Sequence, residues 1–217
     1  MVNIFLEAKS NKTPEACFVK AIVKKYFPHA EEGGDYKFIY VDGKDNLPNV
    51  VPEMLTNTAD GGVNLVIFDA DTLENGGGFV TRQQQLMDKK AEIGVSFDLF
   101  LYPSDGEDGD VEVLMERIAC KDKHARFFSC FQMYENCISQ DKDSDGKPRY
   151  KTPNRKGKLH TYINAMQLNN RQMRGLGSGQ WLFDNNDYWN LDSDDLQPLV
   201  NFLSKYLANS QHLTAKE

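Results

Sequence analysis

The chain has 217 residues, 40% of them hydrophobic and 26% charged, and a formal net charge of −7 at pH 7. These values are ordinary for one large domain, or a domain with a helical extension, and they exclude a low-complexity chain. Its apolar runs are much shorter than the roughly 18 residues that a membrane-spanning helix needs, and the first residues, MVNIFLEAKSNK, lack the basic and long apolar regions of a signal peptide.

Short apolar strands alternate with helical segments through the first half of the chain. Thr13 and Pro14 have the chemistry of a helix N-cap and of a first helical residue. The predicted strands are residues 2–7, 36–41, 63–69 and 96–102. The predicted helices are residues 13–27, a short helix within 46–57, a helix within 78–92, and residues 111–120.

This alternation predicts β-α-β crossovers, and therefore an α/β fold with a mostly parallel sheet of about four strands between helices. From Lys121 onward no strong strand pattern occurs, and the chain has helical spacing in residues 123–139, 155–169 and 195–208. We predict an α/β core over residues 1–120. A mainly helical part over residues 121–217 would pack on this core or continue it as one domain.

Four cysteines lie in helical-looking sequence without any C-x-x-C pair: Cys17, Cys120, Cys130 and Cys137. This pattern is typical of buried thiols in a reducing compartment and less typical of disulfides or a zinc site. Together with the N-terminal sequence, it predicts a cytoplasmic protein that makes no membrane contact. No pattern in the chain indicates an oligomeric state.

Acidic residues end two of the predicted strands. Glu7 ends the first strand and Asp69 ends the third, while Asp71 follows in the glycine-rich turn of VIFDADTLENGGGF. If these strands are neighbours, the three carboxylates converge where ligands of parallel sheets bind, and a cation such as Mg²⁺ or Mn²⁺ would relieve their repulsion. The alternative is that aspartate only terminates the strand as a turn residue. The additional glutamate at a second strand end favours the metal.

Five segments carry a resemblance to a known family: FLEAKSNK, VIFDAD, LFLYPSDGEDGDVEVLME, TPNRKGKLHTYINAM and LQPLVNFL. An acidic strand end followed by a hydrophobic-D-x-D segment resembles the Toprim domain of topoisomerases, bacterial primases, recombination-repair proteins and overcoming-lysogenization-defect nucleases. More closely, the chain resembles a family of small bacterial Toprim-like proteins of unknown function. The resemblance implies a compact, Rossmann-like α/β sheet. Ala8 stands where the Toprim pattern commonly has glycine, and Asn11 stands where it often has an acid.

The resemblance also implies roles for particular residues. Glu7 would act as acid/base or metal ligand, and Asp69 with Asp71 would hold Mg²⁺. Asp110 and Glu112 resemble an additional acidic motif that holds a second ion in nuclease-type Toprim domains, and paired metals suit in-line phosphodiester cleavage. The alternative for this second group is that acids stabilise the N-terminus of a helix, with Asp110 as the N-cap.

The charge of the chain is unevenly distributed. Residues 1–116 carry 10 basic and 21 acidic side chains, whereas residues 117–174 carry 13 basic and five acidic ones. The basic segment predicts a polyanionic partner such as nucleic acid, or alternatively a solvated, lysine-rich helical surface. The residues predicted to contact phosphates, either along a strand or in one anionic ligand near the metal, are Lys9, Arg155, Lys156 and Lys158.

Other ligand-binding patterns are incomplete. DKDSDGKPRYKT (141–152) has the first half of an EF-hand loop, but Thr152 replaces the bidentate glutamate, so it predicts a solvated loop. GLGSG (175–179) lacks the spacing of a dinucleotide-binding or nucleophile motif and predicts a flexible connection. The four histidines form no paired zinc spacing.

Two functions of different classes follow from these patterns. The first is a Mg²⁺-dependent phosphotransfer enzyme, namely a nuclease that hydrolyses phosphodiesters of DNA or RNA. In this enzyme Glu7 would assist proton transfer, and residues 117–174 would position the strand. The second is a noncatalytic Toprim-like module that binds nucleic acid or another protein and keeps a vestigial metal site.

Overall fold

A sheet of four strands lies at the centre of the computed structural model, which describes residues 1–208. The strands are β1 (Val2–Leu6), β2 (Tyr36–Tyr40), β3 (Val63–Asp69) and β4 (Asp98–Tyr102). They are ordered β2-β1-β3-β4, and all three neighbouring pairs are parallel. The predicted α/β fold with a parallel sheet is therefore confirmed. Residues 209–217, which end the predicted helical part, lie outside the described residues.

Eight α-helices flank this sheet within residues 1–208. Their bounds are α1 (Pro14–Tyr26), α2 (Val51–Ala59), α3 (Phe79–Ile93), α4 (Val111–Ile118), α5 (Ala125–Gln140), α6 (Arg155–Asn164), α7 (Asn170–Leu176) and α8 (Gln197–Leu207). Short 3-10 turns precede α2 and α8, at Lys44–Val50 and Asp194–Leu196. Beyond residue 120 no strand of the sheet occurs among the described residues, so the C-terminal part is helical as predicted. No helix in this described part is long and apolar enough to span a bilayer.

The central strand β1 is buried on both faces of the sheet. Ile4 and Leu6 belong to a hydrophobic cluster with α1, α4, α6 and α8, whereas Phe5 belongs to a second cluster with α2 and α3. Because helices cover both faces, the strand is apolar at nearly every position instead of alternating with polar residues. The first cluster also includes Tyr162 and Trp189, so residues beyond 120 pack directly against the core.

The chain leaves the two central strands in opposite directions. From β1 it passes through α1 to β2 on one side, and from β3 it passes through α3 to β4 on the other. The register sets Leu6 beside Ile67, so the residues that follow each strand emerge together at the carboxyl edge. This edge is the topological switch point, where open α/β sheets bind their ligands.

Two local predictions about the helical part need correction. All four cysteines are free, but Cys17 and Cys120 are only half-buried, and Cys130 and Cys137 are exposed and not buried as predicted. The reason is that α5 packs through Phe127 and Phe128 against Tyr162, which turns the two cysteines outward.

The predicted solvated loop at residues 141–152 is confirmed by its exposure and by its lack of helix or strand.

The glycine-rich segment after α7 is a hydrogen-bonded turn and not the predicted flexible connection. The Gln180 and Ser178 N–H groups both donate to the Gly175 carbonyl oxygen, at 3.1 and 2.9 Å. Gly179 has a φ of +72°, and a Cβ placed on it would lie 2.2 Å from the Thr13 carbonyl carbon. Only glycine fits there, because the turn rests on the backbone at the start of α1.

We expect Gly179→Ala to lower the free energy of unfolding by at least about 2 kcal/mol. The substitution adds a backbone clash to the roughly 1–2 kcal/mol that a left-handed conformation costs other residues. Gly177→Ala is the matched control, since Gly177 has an ordinary helical φ and its Cβ would meet nothing within 4 Å. Urea unfolding measures both variants, and equal stabilities for the two would contradict the packing of this turn.

Candidate functional site

A chain of hydrogen bonds joins the ends of β1 and β3 to the start of α4. The Asp69 N–H donates to Oε2 of Glu7 at 3.0 Å, and the Val111 N–H donates to Oδ1 of Asp69 at 2.8 Å. Val111 is the first residue of α4, and the N-cap is Asp110, whose side chain accepts from the Val113 N–H. The Asp69 carboxylate therefore faces the positive end of a helix, which stabilises its charge.

Asp71 faces a different partner. Its Oδ2 forms an ion pair with Nη2 of Arg82 in α3, and Arg82 is only 4% exposed. Asp71 itself has a φ of +60°, in the left-handed region. A Cβ on Gly77 would lie 2.5 Å from the Asp71 Cβ, so this glycine lets the turn close over the aspartate. The Arg82 Nε–H is buried without a partner in the described chain, which leaves this cation incompletely satisfied.

Burial and mutual repulsion perturb the carboxyl groups at this edge. Burial, and then the charge of Asp71, raise the pKa of Glu7. Burial, followed by the charges of Glu7 and Glu112, raises the pKa of Asp69 well above its usual range, although the Val111 N–H opposes this. Burial also raises the pKa of Glu112. The ionised form of each of these carboxyl groups is thus disfavoured, and a nearby cation would stabilise it.

A small cavity lies between the carboxylates. It has a volume of about 10 Å³ and is lined by Glu7, Glu15, Asp69 and Tyr102 together with apolar residues. The Tyr102 hydroxyl is buried without a hydrogen-bond partner among residues 1–208, and burial with the charge of Asp69 raises its pKa. The cavity is large enough for about one water molecule, and it brings an unsatisfied hydroxyl next to acidic groups.

The predicted phosphate-binding residues of α6 form ion pairs within the protein. Lys156 pairs with both Glu15 and Glu112, the second at 3.1 Å. Arg155 and Lys158 share Glu116, at 3.1 and 3.0 Å.

Of the other residues predicted to bind phosphate or metal at this edge, Asp110 forms an ion pair with Arg155, whereas Lys9 forms none among the described residues. Arg155 also contacts Asp110, at 3.3 Å. Asp110 caps α4, so the alternative role that the sequence offered for it is the one observed. Lys9 is exposed and has no ion pair within the described residues. A polyanion at α6 would compete with the carboxylates of α4 for the same cations.

The donor set fits a hard divalent cation in part. Glu7 and Asp69 supply adjacent carboxylates of raised pKa, which is the oxygen chemistry that Mg²⁺ prefers. Asp71 could complete a set of three, but its Oδ2 is paired with Arg82. In the described chain, no three His, Cys, Asp or Glu side chains are already arranged to hold a metal ion. The residues thus fit a cation bound by two carboxylates and water, with Asp71 as a potential third ligand.

Comparisons with protein-family models, curated proteins and solved structures find no match to this chain. Membership of a Toprim-like family therefore stays a prediction, and only the geometry of the site bears on its function.

Sequence reasoning missed three members of this edge. Glu15 follows the predicted N-cap Thr13 by two residues, and no pattern in the sequence indicates that it pairs with Lys156. One feature of the sequence could have drawn attention to Arg82: it is the only basic residue in the first half of α3. Tyr102 could have been found by the argument used for Asp69, since both end strands and they are partners in the register.

The raised pKa values set the sign of a pH dependence. A carboxyl group with a raised pKa in the folded state contributes stability that is present below its ordinary pKa, 3.8 for Asp and 4.5 for Glu. This stability is lost as pH rises through the folded pKa. Asp69→Asn removes one charge and keeps an acceptor for the Val111 N–H. We expect Asp69→Asn to reduce the fall in stability with rising pH and to raise the free energy of unfolding at neutral pH.

Urea unfolding from acid to neutral pH, without divalent cations, measures this effect. Asp60→Asn is the control, because Asp60 is exposed at the C-terminal end of α2 and no side-chain partner of it occurs among residues 1–208. It should retain the wild-type pH profile. A profile for Asp69→Asn as steep as that of the wild type would contradict the electrostatic account.

Proposed function

We propose that this protein is a Mg²⁺- or Mn²⁺-dependent phosphotransfer enzyme, a nuclease that hydrolyses phosphodiesters of DNA or RNA. The observation that carries the proposal lies at the topological switch point: the Asp69 N–H holds the Glu7 carboxylate, and Glu7 and Asp69 line the same small cavity. Their raised pKa values mean that a divalent cation would be favoured there. The resemblance of FLEAKSNK and VIFDAD to Toprim-like proteins supports the same reaction class.

Glu7 and Asp69 would hold the cation, and Asp71 would join them after separating from Arg82. When bound, such a cation stabilises charge on the phosphoryl group and on the attacking and leaving oxygens. In the alternative role for Glu7, Asp69 and water would hold the cation, and the Glu7 carboxyl would accept a proton from the attacking water and return one to the leaving oxygen. Arg82, once released, would have its guanidinium free to donate to a phosphate oxygen.

Lys9 and the cations of α6 would position the substrate strand. Lys9 is exposed just after Glu7 and has no competing ion pair among the described residues. Arg155 has a side chain that is 39% exposed and would exchange its contacts with Asp110 and Glu116 for phosphates. Such an exchange keeps the cations paired, and Asp110 would still cap α4 through the Val113 N–H. Affinity for a strand would then fall steeply with salt.

A noncatalytic Toprim-like module that binds nucleic acid or protein is the second candidate. The observation that favours it is the ion pair between Asp71 and the buried Arg82. This pair gives Asp71 a structural partner in place of a metal. In such a module Asp69 would serve only to hold the start of α4 against the sheet through the Val111 N–H.

Cleavage assays distinguish the two candidates. We expect the wild type to cut single- or double-stranded DNA or RNA when Mg²⁺ or Mn²⁺ is present and to stop when EDTA is added. Asp69→Asn and Asp71→Asn should each lower the rate by at least about 100-fold, the upper end of the effect of losing even an outer partner of a metal ligand.

The exposed Asp60 again gives a matched control, and Asp60→Asn should cut at the wild-type rate. Urea unfolding of every variant would separate loss of the fold from loss of chemistry. An absence of cutting under all metal conditions would argue against a nuclease. Cutting that persists in Asp69→Asn would show that the reaction does not use this site.

A further inference from the structure

One side of α5 is open to solvent in the described chain, although its residue types are more often buried. Cys130, Met133, Tyr134 and Cys137 are three, four or seven residues apart, so they share one side of the helix. The two cysteines are exposed, and Met133 and Tyr134 are 59% and 48% exposed. α5 packs on the protein through a different side, which contains the buried Phe131. The exposed side is therefore a candidate interaction surface.

This exposed side of α5 is uncharged. Residues 127–140 contain a single charged side chain, Glu135, which is half-buried on another side of the helix, although 26% of the whole chain is charged. The centres of protein interfaces are depleted in charge and enriched in tyrosine and methionine. The cations that would hold a nucleic-acid strand are missing from this side. Its composition therefore fits a protein partner.

The charges at the two ends of α5 oppose the dipole of the helix. Arg126 lies in the first turn, where the free N–H groups are already positive, and Asp141 is the C-cap, where the free carbonyl groups are negative. Arg126 has no ion pair within residues 1–208, and Asp141 has only a long contact with Arg149, at 3.9 Å. Each end of the helix would therefore be stabilised by the opposite charge of a neighbouring molecule.

These features are arranged symmetrically about the middle of α5. The midpoint between Met133 and Tyr134 is also the midpoint between the two exposed cysteines and between Arg126 and Asp141. In an antiparallel pair with its twofold axis at this point, Arg126 lies beside the partner's Asp141, and Met133 lies beside the partner's Tyr134. The N-terminus of each helix then meets the C-terminus of the other, which relieves both unfavourable end charges. A twofold interface requires such self-complementarity, because it uses the same surface on both copies.

We propose that this side of α5 is a dimerisation surface, and that its partner is a second copy of the chain bound antiparallel to it. The helix has 16 residues and is about 24 Å long. One pair of such helices offers less contact than the roughly 800 Å² per partner of a standard interface. The dimer is therefore reversible and forms at high protein concentration. It does not depend on the proposed hydrolysis, and a noncatalytic module would form it as well.

Sedimentation equilibrium of the full chain, from micromolar to millimolar concentration in a reducing buffer, measures the association. We expect the average mass to rise from that of one chain toward that of two. Met133→Glu brings like charges together at the twofold axis and should weaken the association by about 10-fold or more. Met87→Glu is the matched control, because Met87 is 44% exposed on α3, and it should associate like the wild type. A mass of one chain at every concentration would overturn the proposal.

Exchange of the end charges tests the antiparallel pairing. Arg126→Asp and Asp141→Arg each place like charges side by side, and each should weaken the association by about 3-fold or more at low salt. The double variant restores opposite charges and should regain the wild-type association. Both substitutions agree with the helix dipole, so weaker association would not reflect loss of α5. A double variant that associates no better than the single ones would contradict this pairing.

Crosslinking with a short bismaleimide gives a second readout of the arrangement. Antiparallel pairing places Cys130 of one chain beside Cys137 of the other, whereas the same cysteine of the two chains is separated by about 10 Å along the helix axis. A mixture of Cys130→Ser and Cys137→Ser should therefore crosslink several-fold more than either variant alone. The half-buried Cys17 and Cys120 are the same in every sample. Crosslinking of a single variant that equals or exceeds that of the mixture would rule out the antiparallel dimer.

Discussion

The hydrogen bond from the Val111 N–H to the Asp69 carboxylate is the interaction on which the carboxyl edge of the sheet depends. It fixes the start of α4 against the end of β3, while the Asp69 N–H in turn fixes the Glu7 carboxylate at the end of β1. A single aspartate therefore connects two strands and a helix, through its backbone and its side chain. Any cation or substrate at this edge would bind to a carboxylate that the fold already uses.

Charge balance at the same edge is achieved by contacts between distant parts of the chain. α6 supplies three cations, and α1 and α4 supply the acids that they meet. Burial opposes the ionisation of Glu15 and Glu116, but their lysine partners outweigh it and lower the pKa of both. Glu7, Asp69 and Glu112 keep raised pKa values. The ionised form is thus favoured in Glu15 and Glu116, which pair with α6, and disfavoured in Glu7 and Asp69 at the strand ends and in Glu112, although Glu112 also pairs with Lys156.

The parts of this arrangement that follow from local pattern could be predicted from sequence. The bounds of β3 and the roles of Thr13 and Asp110 as N-caps depend on neighbouring residues, and they are as expected. To predict that Glu7 and Asp69 converge, only one assumption was needed, namely that β1 and β3 are neighbours, and the sheet has this order.

The parts that depend on contacts between distant residues could not be predicted in this way. Lys156 and Glu15 are 141 residues apart, and no periodicity predicts their contact. The ion pair between Asp71 and Arg82 depends on the turn that Gly77 allows. The close approach of Gly179 to Thr13 is likewise invisible in the composition of GLGSG, where glycine is typical both of a loose linker and of a tight contact.

The ion pair between Asp71 and Arg82 has a thermodynamic consequence. Arg82 is almost completely buried, so its charge requires an anion wherever Asp71 goes. If a cation recruits Asp71, the guanidinium is left to seek another anionic partner, and a phosphate is the natural replacement. Binding of the cation and binding of the anion would then be positively cooperative, and reciprocity requires that each strengthen the other by the same factor. The protein would respond to the two together far more than to either alone.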